Sequence, residues 1–242
     1  MKVLVIDVGG THVKALVSSE REPRKFPSGP ALTPDQMVAG VKEITLDWKF
    51  DAVSIGFPGL VLGNRPVAEP CNLGQGWVGF NFQHAFGCPV KLVNDAAMQA
   101  LGSYRYGKML FFGLGTGFGS TLIVDGIVEP MELGYLPYKK GTYESYVGNE
   151  ALLKYGKTKW RHHVADVVTQ LTAALEPDEV VIGGGNAKEL TALPPKCRFG
   201  DNHNAFLGGF RLWEEARNHQ ATSGETPGKQ KPNSHMAFQP TT

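Results

Sequence analysis

Apolar residues open the chain in a pattern of period two. Residues 3–6 form a continuous apolar run, and within residues 12–17 Val13, Ala15 and Val17 alternate with His12, Lys14 and Leu16. Asp7-Val8-Gly9-Gly10-Thr11 separates the two runs, so the pattern predicts a glycine-turned β-hairpin. A polar stretch with Pro23, Pro27 and Pro30 is expected to turn into a third strand before a loop. The period then changes. Thr33-Pro34-Asp35 offers an N-cap with proline at the first helical position, and Met37, Val38, Val41, Ile44 and Thr45 recur at helical spacing, which predicts a first helix. AVSIGF, residues 52–57, reads as a buried strand closed by Pro58-Gly59 and followed by a short run, 60–62.

Residues 65–79 form a long irregular loop containing Pro66, Pro70, Asn72 and Trp77, and 79–86 is read as a short helix. A strand at 90–93 runs into Asn94-Asp95 and a helix at 96–106, with Ala97, Ala100, Leu101 and Tyr104 on one face. Then the opening pattern returns: a strand at 108–112, a glycine-rich turn at 113–119 with four glycines in seven residues, and a strand at 120–124. This repetition predicts an internal duplication, with two similar lobes whose turns face each other across a cleft. Beyond Glu132-Leu133-Gly134-Tyr135 and a turn at Lys139-Lys140-Gly141, helices are expected at 150–155 and 160–175, the second with Val164, Val167, Val168, Leu171, Ala174 and Leu175 towards the core. A buried strand at 179–182 leads into Gly183-Gly184-Gly185-Asn186 and a short helix at 187–190, then a strand at 196–199 and a helix at 205–217. The order is α/β, and residues 218–242, poor in apolar side chains, read as a disordered tail.

The hairpins exclude the two commoner phosphate loops, because the dinucleotide fingerprint and the P-loop both start a helix directly after their glycines. A phosphate at a strand turn must be held by backbone N–H groups. Gly9 and Gly10 lack the Cβ that would keep it away, Thr11 adds a hydroxyl, and Asp7 can hold a hydrated Mg²⁺. A Gly-Gly pair between strands also makes an ordinary tight turn. Four glycines at 113–119 exceed what a turn needs, so there the phosphate reading outweighs the plain one. Glu132 and Glu144 suit a polyhydroxylated ligand, since a carboxylate accepts two hydroxyl hydrogen bonds at once; as isolated glutamates they would be solvated surface residues. Asn72 could bind a polar ligand with Trp77 closing or supporting the site, or the pair is an Asx turn beside a packing tryptophan. Either Asn94 or Asp95 makes a good N-cap. Gly183, Gly184 and Gly185 at a helix start would let backbone approach a flat ligand or a phosphate. Lys154, Lys157, Lys159, Arg161, His162 and His163 are either a solvated helix face or an attractor of polyanions.

Composition narrows the partners. The 242 residues (26.2 kDa, 42% hydrophobic) suffice for one large domain or two small lobes, and 24 basic against 23 acidic residues give a net charge of +1, so no field favours nucleic acid or membrane. No apolar run approaches the roughly 18 residues of a membrane span, and Asp7 interrupts the N-terminal one, against a signal peptide. Cys71, Cys88 and Cys197 are odd in number and far apart, which speaks for a reducing cytoplasm and against a disulfide framework or a zinc site.

Taken in order, Asp7-Val8-Gly9-Gly10-Thr11, Phe57-Pro58-Gly59, Asn94-Asp95-Ala96, the glycine run at 113–119, Glu132-Leu133-Gly134 and Gly183-Gly184-Gly185 resemble the ROK family of sugar kinases, its glucokinase and polyphosphate glucokinase members in particular. The resemblance covers roughly residues 1–217. It implies the two-lobed actin-like ATPase (ribonuclease H-like) fold with duplicated β-hairpin phosphate loops: an N-terminal lobe at 1–94, a C-terminal lobe at 95–217 and the tail at 218–242. It makes Asp95 the general base for a sugar hydroxyl, and Asn72, Asn94, Glu132 and Glu144 the sugar contacts. Asp7, Gly9, Gly10, Thr11 and Lys14 then hold phosphate, with Asp7 on Mg²⁺ through water. Gly115, Thr116 and Gly117 clasp the donor phosphates, and Gly183, Gly184 and Gly185 match the adenosine side. The helix N-terminus is expected to lower the Asp95 pKa.

Two departures from the family pattern matter. Tyr135 stands where relatives carry a histidine, and no cysteine lies between Cys88 and Cys197, so no zinc is expected. The region after Glu144 is short, which weakens ATP as donor and brings in polyphosphate. The expected activity is phosphoryl transfer from ATP or polyphosphate to a hexose, glucose at its 6-hydroxyl, in a cytoplasmic homodimer. The alternative is a non-catalytic sugar- or nucleotide-binding regulator; family repressors carry an N-terminal helix-turn-helix, whereas this chain begins at once with a strand.

Overall fold

In the computed structural model, which describes residues 1–201 and 203–214, each glycine-turned strand pair is the nucleus of a five-stranded mixed sheet. In the first sheet β1 (Val3–Val8) pairs antiparallel with β2 (His12–Val17), placing Asp7 opposite Lys14. β3 (Arg24–Pro27) extends the meander, while β4 (Ala52–Phe57) and β7 (Val90–Asn94) add on the other side in parallel. The order is β3-β2-β1-β4-β7. A small hairpin of β5 (Val61–Leu62) and β6 (Arg65–Pro66) opens the loop after β4.

The second sheet repeats that plan position for position. β8 (Lys108–Leu114), β9 (Phe118–Val124) and β10 (Ile127–Met131) form the meander, and β13 (Glu179–Gly183) and β14 (Cys197–Phe199) join β8 in parallel, giving β10-β9-β8-β13-β14. The duplication expected from the sequence is therefore present in topology.

Helices cover the sheets as their apolar faces require. α1 (Pro34–Ile44) starts with a reciprocal capping box, in which Thr33 accepts from Gln36 N and the Gln36 side chain accepts from Thr33 N, and buries Met37, Val38 and Val41 against Val13 and Ala15. Thr33→Ala should lower stability by about 1 kcal/mol, read as a shift of the denaturant midpoint with unchanged slope. The predicted helix at 79–86 shortens to α2 (Phe82–Phe86), capped by Asn81. Trp77 is wholly buried, with its ring centroid 5.5 Å from Phe57 and 6.2 Å from Phe82, so it is a core residue and closes no site. Beyond β10 come a hairpin of β11 (Pro137–Tyr138) and β12 (Gly141–Thr142), a single turn α4 (Glu144–Val147), and α5 (Asn149–Leu175). The two helices expected at 150–155 and 160–175 are halves of α5, bent at Gly156, where φ is 74°. No described helix is long and apolar enough to cross a membrane.

Two helices join the sheets. α3 (Asp95–Ser103) starts at the end of β7 and packs on strands of both, and α6 (Asn204–Arg211) lies across α3 and reaches β1 and β4. Their contact is backbone on backbone: a Cβ on Gly102 would lie 1.8 Å from Asn204 O, and one on Gly208 1.8 Å from Met98 O. Arg211 caps the end of α3 by donating to Leu101 O (2.6 Å) and Tyr104 O (2.9 Å), and Arg198 donates to Ser103 O (2.6 Å). α3 stops at Ser103 rather than at 106. Of the predicted helix at 205–217, positions 215–217 lie outside the described residues, as does the tail 218–242.

Candidate active site

Asp7, next to last in β1, is the only charged side chain among the buried polar residues described. The hairpin register sets Lys14 opposite, with its Nζ 3.3 Å from Asp7 Oδ2. Past Asp7 the turn closes by a hydrogen bond from Gly9 N to His12 O (3.1 Å), leaving Gly10 and Thr11 exposed at the tip. Ser28 holds this turn from behind, its hydroxyl donating to Gly9 O (2.5 Å) and its N–H to Thr11 O (2.9 Å). Sequence reasoning missed Ser28, since a serine between Pro27 and Gly29 carries no signal of its own. Asn72 stands beside the tip, its Cβ 3.5 Å from where a Cβ on Gly10 would lie.

At the end of β7, Asn94 and Asp95 divide the work that the sequence left open. Asn94 is the N-cap of α3: its Oδ1 accepts from Ala97 N (3.1 Å), and its Nδ2 donates to Gly59 O (3.1 Å). The Asp95 carboxylate accepts from Ala96 N (2.7 Å). Even so, burial and then the neighbouring Asp7 carboxylate raise its pKa to about 7; the backbone N–H bonds oppose them, and Glu132 adds to the rise. The expected depression by the helix N-terminus is thus overturned. Desolvation and like charge outweigh a dipole that the helix offers alone.

Glu132 and Glu144 flank the β11–β12 hairpin. Burial, and then the charge of Glu144, hold the Glu132 carboxyl above its ordinary range. Glu144 Oε2 accepts from Phe118 N (3.0 Å), and a Cβ on Gly117 would come within 2.5 Å of it. Lys14, Asp7, Asp95, Glu132 and Glu144 therefore form one row, each carboxylate in the field of the next, between the two hairpin turns. Tyr135 is 71% exposed beside it.

Glycine roles sort out differently from the sequence reading. β8 and β9 pair as far as Leu114 and Phe118, so Gly113 and Gly119 are strand residues; a Cβ on Gly119 would lie 2.9 Å from Ala96 Cβ, and the glycine admits α3. Only Gly115, Thr116 and Gly117 form the turn, with Thr116 exposed. Gly183 packs on Phe111, and Gly184, at φ +85°, lies so close to Leu114 that a Cβ would meet its carbonyl oxygen at 2.3 Å. Gly185 alone of the three faces open space. Beyond it the chain makes one 3-10 turn, Ala187–Glu189, rather than a helix, so no helix dipole points at a ligand here.

The basic cluster is partly consumed. Lys157 pairs with Glu189 (2.6 Å), Arg161 donates to Glu189 O (2.5 Å), and His163 is packed among Tyr138, Tyr146 and Tyr155, with its pKa lowered by burial and by Lys139. Lys154, Lys159 and His162 remain exposed. Two cavities, of about 850 and 420 Å³, share Phe80, Asn81 and His84, and no residue of the carboxylate row lines either. The chemistry, not either hollow, marks the site.

Residues 3–131, just over half of the chain, match the model of the ROK family. The chain belongs to the ROK family. Among relatives, it is 27% identical over 141 residues, 51% of this chain, to the bifunctional enzyme NanE/NanK of Brucella melitensis, and 24% identical over 187 residues, 64% of this chain, to a glucokinase of Streptomyces coelicolor. It spans 27% and 58% of their respective lengths. The crystal structure of the inorganic polyphosphate/ATP-glucomannokinase from Arthrobacter sp. strain KM superposes with a TM-score of 0.75, covering 90% of this chain and 99% of that one at 22% identity. The ROK fold expected from the sequence, actin-like α/β, is the fold of this protein.

Proposed function

We propose that this ROK protein is a sugar kinase that moves a phosphoryl group from ATP or polyphosphate to a hexose hydroxyl, glucose at O6 being the first candidate. The observation that carries the reading is the Asp95 carboxyl at the start of α3, raised to about 7 in the row between the two hairpin turns. A general base works best with its pKa near the working pH, where enough is ionised to accept a proton and the acceptor is still basic. In this reading Asp95 takes the sugar hydroxyl proton. Glu144, with Oε2 fixed by Phe118 N–H, turns its other oxygen to the sugar, and Glu132, Asn72 and Asn94 supply further contacts.

Magnesium fits Asp7 as a hard oxygen ligand, but no three His, Cys, Asp or Glu side chains converge on a metal position among the described residues. The residues present thus suit an ion held through water and donor phosphates, which would neutralise charge on the transferring group. Lys14 adds a positive point charge beside it, and Gly9, Gly10 and Thr11 present the first tip to phosphate. Gly115, Thr116 and Gly117 take the donor phosphates, and the open side of Gly185 takes the adenosine. The Arthrobacter protein's name pairs polyphosphate with ATP, and Lys154, Lys159 and His162 stay exposed for a longer polyanion.

The test is phosphorylation of a panel of hexoses and aminosugars with Mg²⁺ and either ATP or polyphosphate. Turnover with one donor is expected; sugar binding in calorimetry without any turnover would replace the kinase with a regulator. Since only the ionised Asp95 accepts a proton, kcat/KM for sugar should fall about tenfold per unit as pH drops below the Asp95 pKa, about 7 without metal and lower with Mg²⁺ beside Asp7, and level off above it. A profile flat down to about pH 5 would remove Asp95 as base.

A further inference from the structure

The turn of the second hairpin is held from behind by two asparagines. Leu114 O accepts from the Asn186 backbone N–H (2.9 Å), Gly115 O from Asn186 Nδ2 (3.2 Å) and Thr116 O from the Asn149 backbone N–H (3.2 Å), while Gly117 O accepts from Gly115 N (3.2 Å). Four successive carbonyls are thereby occupied. Asn186 Nδ2 also donates to Asn149 Oδ1 (3.3 Å), and with acceptors on both sides the amide has one consistent orientation. The N–H groups of Thr116 and Gly117, by contrast, donate to no atom of the described residues. The backbone of the turn therefore has free N–H donors at Thr116 and Gly117 and no free carbonyl, the pattern that suits an anion, with the Glu144 carboxylate turned onto the neighbouring Phe118 N–H.

We infer that Asn186, oriented by Asn149, is a positioning residue that fixes the peptide planes of Gly115, Thr116 and Gly117 so that the Thr116 and Gly117 N–H groups bind the phosphates of the donor. The inference rests on the kinase reading for the identity of that anion. Glycines on both sides of Thr116 let these peptides rotate at little steric cost, and a rotated peptide would aim a carbonyl oxygen at a phosphate. A hydrogen bond to Gly115 O resists this. The close approach behind it is built in: Gly184 reaches Leu114 only as glycine, and a Cβ on Gly148 would lie 3.2 Å from Thr116 O.

Asn186→Leu keeps the branching of the side chain, at a somewhat larger volume, and deletes the donor; Asn149→Ala deletes only the orienting acceptor, leaving its backbone N–H. Calorimetry with Mg·ATP and with tripolyphosphate should give about tenfold weaker binding for Asn186→Leu and a smaller loss for Asn149→Ala, with sugar affinity unchanged in both. Adding Asn149→Ala to Asn186→Leu should cost nothing more, since both act through one amide. In the wild type, tripolyphosphate should shift the amide ¹⁵N and ¹H resonances of Thr116 and Gly117. If Asn186→Leu does not fold, Asn149→Ala and those shifts decide. Unchanged donor affinity in the variants, or silent Thr116 and Gly117 amides, overturns the inference even if the wild type phosphorylates sugar. Amides that respond, with donor binding lost in the variants but no turnover on any sugar, would keep the inference and remove the kinase.

Discussion

Asp95→Asn is expected to lower turnover by about 10² to 10⁴-fold while leaving sugar affinity within a few-fold of wild type. The amide keeps the shape and can still accept from Ala96 N–H, so α3 should start where it does now. What it loses is the ability to take a proton. The same change should stabilise the protein without magnesium. Asp95 has a folded pKa of about 7 against an unfolded value of 3.8, so the native state holds its proton more tightly. Native stability is then highest below about pH 4 and declines as pH rises towards 7, because the ionised carboxylate is disfavoured by its burial and, after that, by the Asp7 charge. The amide variant escapes that decline. A three-unit shift would correspond to about 4 kcal/mol, and since Asp95 is partly exposed, about 1–2 kcal/mol of gain at about pH 7.5 is the expectation, vanishing near pH 4. Urea unfolding of both proteins at the two pH values measures it. A variant that turns over at the wild-type rate would take Asp95 out of the mechanism, and one less stable at the higher pH would show that the carboxylate is not under strain.

That the sequence points to Asp95 yet mistakes its pKa has a physical reason. A helix start is a local feature, written in Asn94-Asp95 and the apolar spacing behind it. The opposing charge arrives through β1, β4 and β7, which bring Asp7 alongside, and no local pattern records a parallel pairing. The hairpins were legible for the complementary reason: alternation and a glycine turn are both short-range, and having two of them displayed the duplication. Glycine was the least legible residue type. Gly115 belongs to a turn, Gly117 leaves room for Glu144, and Gly119 admits α3, although all three stand in one run. The reason for each lies in what would meet its missing Cβ. Trp77 in an irregular loop was ambiguous in the same sense, because only the fold brings Phe57 and Phe82 against it. The basic cluster read as one face, yet Glu189, from beyond β13, takes Lys157 and Arg161 out of it.

Gly208→Ala, with its counterpart Gly102→Ala, should be among the most damaging methyl additions at the described residues outside the site. Alanine favours a helix over glycine by about 1 kcal/mol, and Gly208 is inside α6, so propensity alone predicts stabilisation. Packing decides otherwise. The new Cβ would fall 1.8 Å from Met98 O and 2.9 Å from Gly102 N, both backbone atoms of α3, which no rotamer change can move aside. Helix α6 would have to lift by more than an ångström, straining the bonds from the Ser54 hydroxyl to Gly209 O (2.6 Å) and from Arg211 to the end of α3. Overpacking of this kind costs about 3 kcal/mol or more, equivalent to a fall in Tm of about 6–12 °C for a chain this size. The loss should reach the site, because α3 carries Asp95 at its other end. Gly185→Ala is the matched control: its Cβ meets nothing within 4 Å, so its Tm should hold while donor binding weakens. Should Gly208→Ala melt with the wild type, the close crossing of α3 and α6 would be wrong, and with it the account of how the two sheets are held to a common site.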